Sequence, residues 1–248
     1  MKRYLLFAVL VLATVIGVRA QEVEFTADRP GASTGPATVA AGVLQWEQGV
    51  QYDFYDGLGE FTFSNTLFRL GISDHFELRL GGDALVHYSG DKWIPAFSGI
   101  NLGTKINCFE GKGAIPEIAV MANLAFSQLG SEGYVPEHLT PSLHLLFENS
   151  LTDKLSLGYN LGVEWDGINP AATTFIAVGL SYELTDGLGC FAESYNYFSK
   201  FDNAYMADFG FSYMVARRFQ LDLAANIDVC RPSQMWAVSF GFAWQLNK

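Results

Sequence analysis

Long apolar runs are missing from this 248-residue chain after its first twenty residues. No later stretch reaches the roughly 18 apolar residues of a membrane-spanning helix. Cysteine is scarce: Cys108, Cys190 and Cys230 are odd in number and far apart. No metal-ligand spacing and no cofactor motif accompany them, and no G-x-S-x-G nucleophile elbow occurs. We read the cysteines as unpaired wall or loop residues, with one disulfide pair as the alternative in an exported protein. Charge is low at 17%, and basic residues are few, 15 against 26 acidic. That balance excludes nucleic acid as a partner.

What is present is apolar and aromatic: 50% hydrophobic residues, 15% aromatics and 25 glycines, with a mean hydropathy of +0.16. High apolar content without apolar runs means that the apolar residues are dispersed. The first twenty residues are the exception. Lys2 and Arg3 precede the run "YLLFAVLVLATVIGV", and "VRA" precedes Gln21. This is the layout of a secretory signal peptide over residues 1–20, and a membrane anchor is the alternative. Cleavage near Ala20 leaves 12 basic and 26 acidic residues, a net charge of −14.

From Val43 onward the chain divides into period-two segments. Phe76, Leu78, Leu80, Gly82, Ala84 and Val86 share one face, with Glu77, Arg79, Gly81, Asp83 and His87 on the other. Phe219 to Val229 and Trp236 to Leu246 alternate likewise, and so do Leu155 to Trp165. These are strands with one apolar face. Twelve such segments fall near 43–54, 60–71, 76–87, 97–107, 115–127, 140–151, 154–165, 173–184, 188–199, 204–215, 218–229 and 234–246. In the second, Phe61 and Phe63 lie on the opposite face to Phe68 and Leu70, which predicts a bulge or a wrong register.

The connections alternate in length. "ISDH", "LTDK", "LTDG" and "VARR" are tight, with "FEGKGAI" looser. "SGDKWIPA", "SQLGSEGYVPEHL", "DGINPAA" and "CRPSQ" are longer, while "DGLG" and "KFDN" are short. Short turns on one side and longer loops on the other describe an all-β, antiparallel, up-and-down transmembrane β-barrel of about twelve strands, residues 43–248, in the cell outer membrane. A β-sandwich or lipocalin-like barrel is the soluble alternative. Aromatics at strand ends (Trp46, Tyr52, Trp165, Tyr182, Tyr213, Trp236, Trp244) favour the membrane form by resembling an interfacial girdle.

Several stretches resemble one known family: "TADRPGAST", "GVLQWEQGVQY", "LFRLGISDHFELRLGGD", "GINLGTKI" and "SLTDKLSLGYNLGVEWDG". The chain is similar to outer-membrane proteins grouped as a MetA-pathway of phenol degradation, often called transporters. Its most specific part is Asp28-Arg29-Pro30 followed by the G-x-L-Q-x-E strand. The resemblance implies a barrel that passes small, hydrophobic or aromatic solutes. Two departures stand out: Ala27 rather than Thr precedes the Asp-Arg-Pro, and the chain ends "FAWQLNK" rather than on an aromatic.

Parity assigns the chemistry to the inward faces: Glu47, Asp53, Glu77, Arg79, Asp83, Lys105, Glu117, Glu148, Glu164, Glu183, Glu193, Asp208, Asp222 and Asp228. Twelve acids against two bases demand ions, a cationic solute or a basic segment folded inside. Arg29 suggests the last. The strand-poor segment 21–42 is expected to be periplasmic or inserted in the lumen, with Arg29 paired to carboxylates such as Glu47 or Glu77; a disordered tail is the alternative. If the ninth segment keeps register with Asp186, then Phe191, Glu193, Tyr195 and Tyr197 form an inward aromatic strip able to meet a flat solute. Otherwise these rings face lipid or only fill space. Ser142 and His144 share a strand face with Asn160 next door, in an order reversed from that of a membrane phospholipase. We therefore expect no enzyme. Two readings stand: a passive channel or transporter, and a closed structural or interaction barrel.

Overall fold

The computed structural model describes residues 25–89, 91–132, 136 and 138–247; the signal-peptide segment lies outside the described residues. Thirteen strands form one antiparallel sheet: β1 Leu44–Tyr55, β2 Leu58–Ser73, β3 Phe76–Ser89, β4 Lys92–Phe97, β5 Ile100–Phe109, β6 Glu117–Phe126, β7 Thr140–Ser150, β8 Leu155–Glu164, β9 Thr173–Thr185, β10 Leu188–Phe198, β11 Asn203–Ala216, β12 Phe219–Asp228 and β13 Met235–Gln245. β1 pairs with β13 from Gln45↔Gln245 to Tyr55↔Met235, which closes the sheet into a barrel.

Twelve strands make the wall. β4 and β5 are two pieces of one wall segment, whose earlier part the sequence did not reveal. β3 pairs with β5 through residues 76–81 and with β4 through 84–89. The break falls at Ser98–Gly99, where Gly99 has φ +92°, a left-handed conformation that glycine enters freely. The Ser98 N–H donates to the Asp83 carbonyl and the Asp83 N–H donates to the Ser98 hydroxyl, so the wall stays hydrogen-bonded there.

The irregular second strand carries its bulge at Phe63: its register with β3 shifts between Thr62 and Ser64, and its register with β1 between Gly49 and Gln51. One extra residue restores the outward face, so Phe61, Phe68 and Leu70 all point to lipid. It also turns Arg69 inward.

Burial is inverted relative to a soluble domain. Leu78, Leu80, Val178, Leu180, Phe209, Phe211, Val238 and Phe240 are exposed, while Gln45, Glu47, Arg69, Glu77 and Lys105 are 0–1% exposed. A bilayer, not water, is the solvent for such an outer surface, and this disposes of the soluble alternative. Aromatics pack together at both rims, Trp46 with Phe68 and Phe242 at one, Trp236 with Tyr52 and Phe54 at the other. Trp165 departs from the expected girdle and lines a lumen cavity instead.

Tight turns gather at one end with both ends of the barrel chain, the periplasmic side by the general rule. In "LTDK", the Thr152 hydroxyl accepts the N–H groups of Lys154 and Leu155, holding the turn. Asp74 of "ISDH" reaches further: it accepts the Ala41 N–H and, through its carbonyl, the Thr38 hydroxyl. On the opposite end Asp56 and Gly57, with φ 46° and 86°, form the two-residue turn that suits a right-twisted hairpin.

Candidate functional site

Residues 25–43 have no strand pattern, so their backbone groups need partners elsewhere. They find them on the inner wall. The Val39 N–H donates to Glu77. Gly35 and Ala37 present their carbonyls to Lys105 Nζ at 2.9 and 3.2 Å. Thr34 exchanges two hydrogen bonds with the Asn160 side chain, N–H to Oδ1 at 2.7 Å and carbonyl from Nδ2 at 2.9 Å. Ala32 and Ser33 donate to Glu193, and the Thr26 carbonyl accepts from Gln45 and Arg69. The segment therefore enters beside β1, β2, β3 and β5, crosses to β12, β10 and β8, and returns past β5 and β3 to β1.

Arg29 and Asp28 anchor the crossing. Arg29 donates from Nε to Asp222 Oδ2 (3.2 Å) and from Nη2 to Oδ1 (3.0 Å), a bidentate pair, and also to Asn65. The expected partners Glu47 and Glu77 are thus corrected to Asp222. Both glutamates are engaged by Arg69, at 2.9 Å each, and Arg69 sits within one strand pairing of them. The Asp28 carboxylate meets Arg79, Lys105 (2.8 Å) and Arg69 (3.3 Å). Burial alone would raise the Asp28 pKa, but the cations of Arg69, Lys105 and Arg79 outweigh it and hold the carboxyl well below the usual range.

Glycines shape the seat. Gly49 and Gly241 face each other across the closing β1–β13 pair, and a Cβ on either would overlap the Arg29 guanidinium. A Cβ on Gly71 would overlap the Val39 and Ala40 carbonyls. Glycine in a strand costs propensity; here it leaves room for the segment.

Asp83 accepts from Asn65 Nδ2 at 2.8 Å. Glu164 pairs with His144 Nε2 at 3.0 Å, and Ser142 bonds Asn123 instead, so Ser142 and His144 are not coupled. Glu148 and Glu183 line a cavity of about 440 Å³ on the periplasmic side of the segment, bordered also by Asp28, Arg29 and Glu193. A second cavity, about 550 Å³, is lined by Arg79, Asp83, Asn101, Asn123 and Trp165. Phe191, Glu193, Tyr195 and Tyr197 do face inward. Tyr195 packs with Phe175, Ala177 and Met206, and Tyr197 lies against Phe175 at 5.2 Å between ring centroids. Glu193 stands directly opposite Asp208. Asp228 differs in role, capping its own loop by accepting the N–H groups of Cys230 and Arg231. All three cysteines are free.

A closed, inside-out antiparallel barrel of this kind is an outer-membrane β-barrel. The chain belongs to the family described as "Putative MetA-pathway of phenol degradation", which matches residues 27–246. Its fold is similar to the COG4313 outer membrane channel from Pseudomonas putida F1, at 10% identity and TM-score 0.62, over 87% of this chain and 98% of that one. It is similar also to the NanC porin, at 9% identity and TM-score 0.60, over 81% and 100%. The KdgM porin in complex with disordered oligogalacturonate aligns at 11% identity and TM-score 0.58, over 81% and 99%. At these identities the likeness concerns the fold. No curated protein matches the chain.

Proposed function

We propose that this protein is a narrow outer-membrane channel for passive passage of small solutes, with the N-terminal segment as its constriction. The observation that carries the reading is the pair of cavities, about 440 and 550 Å³, on either side of that segment inside a closed wall. A twelve-strand barrel is narrow enough for side chains and one strap of chain to fill much of it. The strap is seated in glycine notches and bonded to seven strands of the wall, a fit that a loose tail would not need.

The solute class is small and hydrophobic or aromatic. The family's phenol-degradation label supports it, and so does the inward group of Phe175, Tyr195 and Tyr197. Passage rather than chemistry suits the wall, where Ser142 and His144 have separate partners. The second reading, a closed structural barrel, draws on the same strap: it crosses the lumen. Single-channel conductance and liposome swelling of the refolded protein decide between them. Conductance with solute-linked swelling supports the channel; neither, at any voltage or solute, leaves the closed barrel.

A further inference from the structure

We infer that the lumen wall contains a socket for one small carboxylate, occupied in cis by Asp28 and open to a solute carboxylate when the segment withdraws. The inference rests on the constriction reading above and adds its ligand class.

The wall alone brings Arg69, Arg79 and Lys105 together with Glu47 and Glu77, so it holds one positive charge in excess. Asp28 supplies the missing negative charge and makes the buried group neutral. Lys105 is decisive. It is fully buried, and each acceptor it reaches belongs to the segment: the Asp28 carboxylate and the carbonyls of Gly35 and Ala37. A buried ammonium without acceptors is costly, so a wall lysine built this way implies an acceptor from something other than the wall. Arg79 is similar, divided between Glu77 and Asp28.

Position adds a route. Asp28 borders the 440 Å³ cavity and Arg79 the 550 Å³ cavity, so their ion pair stands between the two. A carboxylate in the second cavity meets Arg79 and can replace Asp28 without a new pocket forming. That cavity lies within the size range of small-molecule sites. Elsewhere the wall repels anions: β7 to β12 contain no lysine or arginine. An excess of one charge suits a monocarboxylate; a dianion would overfill it. Planar donors on Arg79 and Arg69 suit the two oxygens of a carboxylate.

The test is chemical rescue of full-length Asp28→Gly, refolded and melted in rising formate, acetate or benzoate, with acetamide and equal-strength chloride as controls. The expected result is a melting temperature below wild type that rises saturably with the carboxylates and not with the controls. Wild type, whose socket is filled, should not rise, and Asp28→Gly with Lys105→Met should lose the rescue. No saturable rise, an equal rise with chloride, or rescue that persists without Lys105 would overturn the socket. Should Asp28→Gly not refold, benzoate and benzamide are compared on wild-type conductance: benzoate alone should lengthen openings, and equal effects contradict the inference. The melting experiment reads the socket by itself. Failure of the constriction reading would show instead as unchanged conductance when the segment is deleted.

Discussion

The two halves of the lumen wall hold the same strap by different means. On β1, β2, β3 and β5, Glu47, Arg69, Glu77, Arg79 and Lys105 surround Asp28 in a buried ionic network. On β8 and β10 the contacts are an amide clasp at Asn160 and one carboxylate, Glu193, receiving N–H and hydroxyl donors. The four lysines and arginines of the strands all lie in β2 to β5: Arg69, Arg79, Lys92 and Lys105. The first set of contacts fixes the strap most firmly. Removing one member of a network of paired buried charges leaves the others uncompensated, whereas the neutral hydrogen bonds of the Asn160 clasp are exchanged with water at small net cost. The β8–β10 side carries the aromatic group and borders the 440 Å³ cavity.

Removing the ionic anchor should have the largest effect. Asp28→Ala leaves three buried cations facing two carboxylates and is expected to cost about 3–5 kcal/mol of barrel stability. Asn160→Ala on the opposite wall should cost only about 1–2 kcal/mol. Equal losses in thermal or denaturant melting would erase the distinction between the halves. Acid offers the same cut without mutation. Because the Asp28 carboxyl is depressed in the folded protein, its contribution is present above the unfolded value of about 4 and is lost as pH falls below it. Melting temperature should therefore hold between pH 5 and 8, as far as Asp28 governs it, and drop below about pH 4. In Asp28→Ala that acid-sensitive increment should be missing.

Next in size is the glycine seat. Gly241→Val places methyls where the Arg29 guanidinium lies and should cost about 1–3 kcal/mol by overpacking. Protease sensitivity of the segment should rise with it. The smallest effect is expected on the aromatic side. Tyr195→Leu should weaken retention of a phenolic solute by up to about tenfold, the range of one aromatic contact, and leave a non-aromatic solute of like size unaffected. Equal changes for both would remove the ring from the passage.

Most of the fold is legible in the sequence. Period-two alternation located all twelve wall segments, and parity put Glu47, Glu77, Arg79, Lys105, Glu193 and Asp222 on the lumen face. What escaped has one physical origin in each case. Arg69 was hidden by the bulge at Phe63, since an extra residue flips every following side chain and local alternation does not count it. The signal was there: Phe68 and Leu70 outward require Arg69 inward. The Arg29 partner was misjudged because parity gives the face of a residue but not its height or the path of the strap. Asp28 carried charge opposite to that sought for an acidic lumen, so only the recovery of Arg69 makes sense of it. The early half of the fourth wall strand, Lys92–Phe97, lacks clean alternation because Pro95 and the break at Ser98–Gly99 interrupt it.

We propose that the N-terminal strap narrows the lumen and is held there by its charges. Single-channel conductance of refolded full-length protein, set beside a variant lacking residues 25–36, tests it most directly. A small conductance is expected for the full-length barrel and a several-fold larger one once the strap is gone. Equal conductance from two equally folded barrels would contradict it.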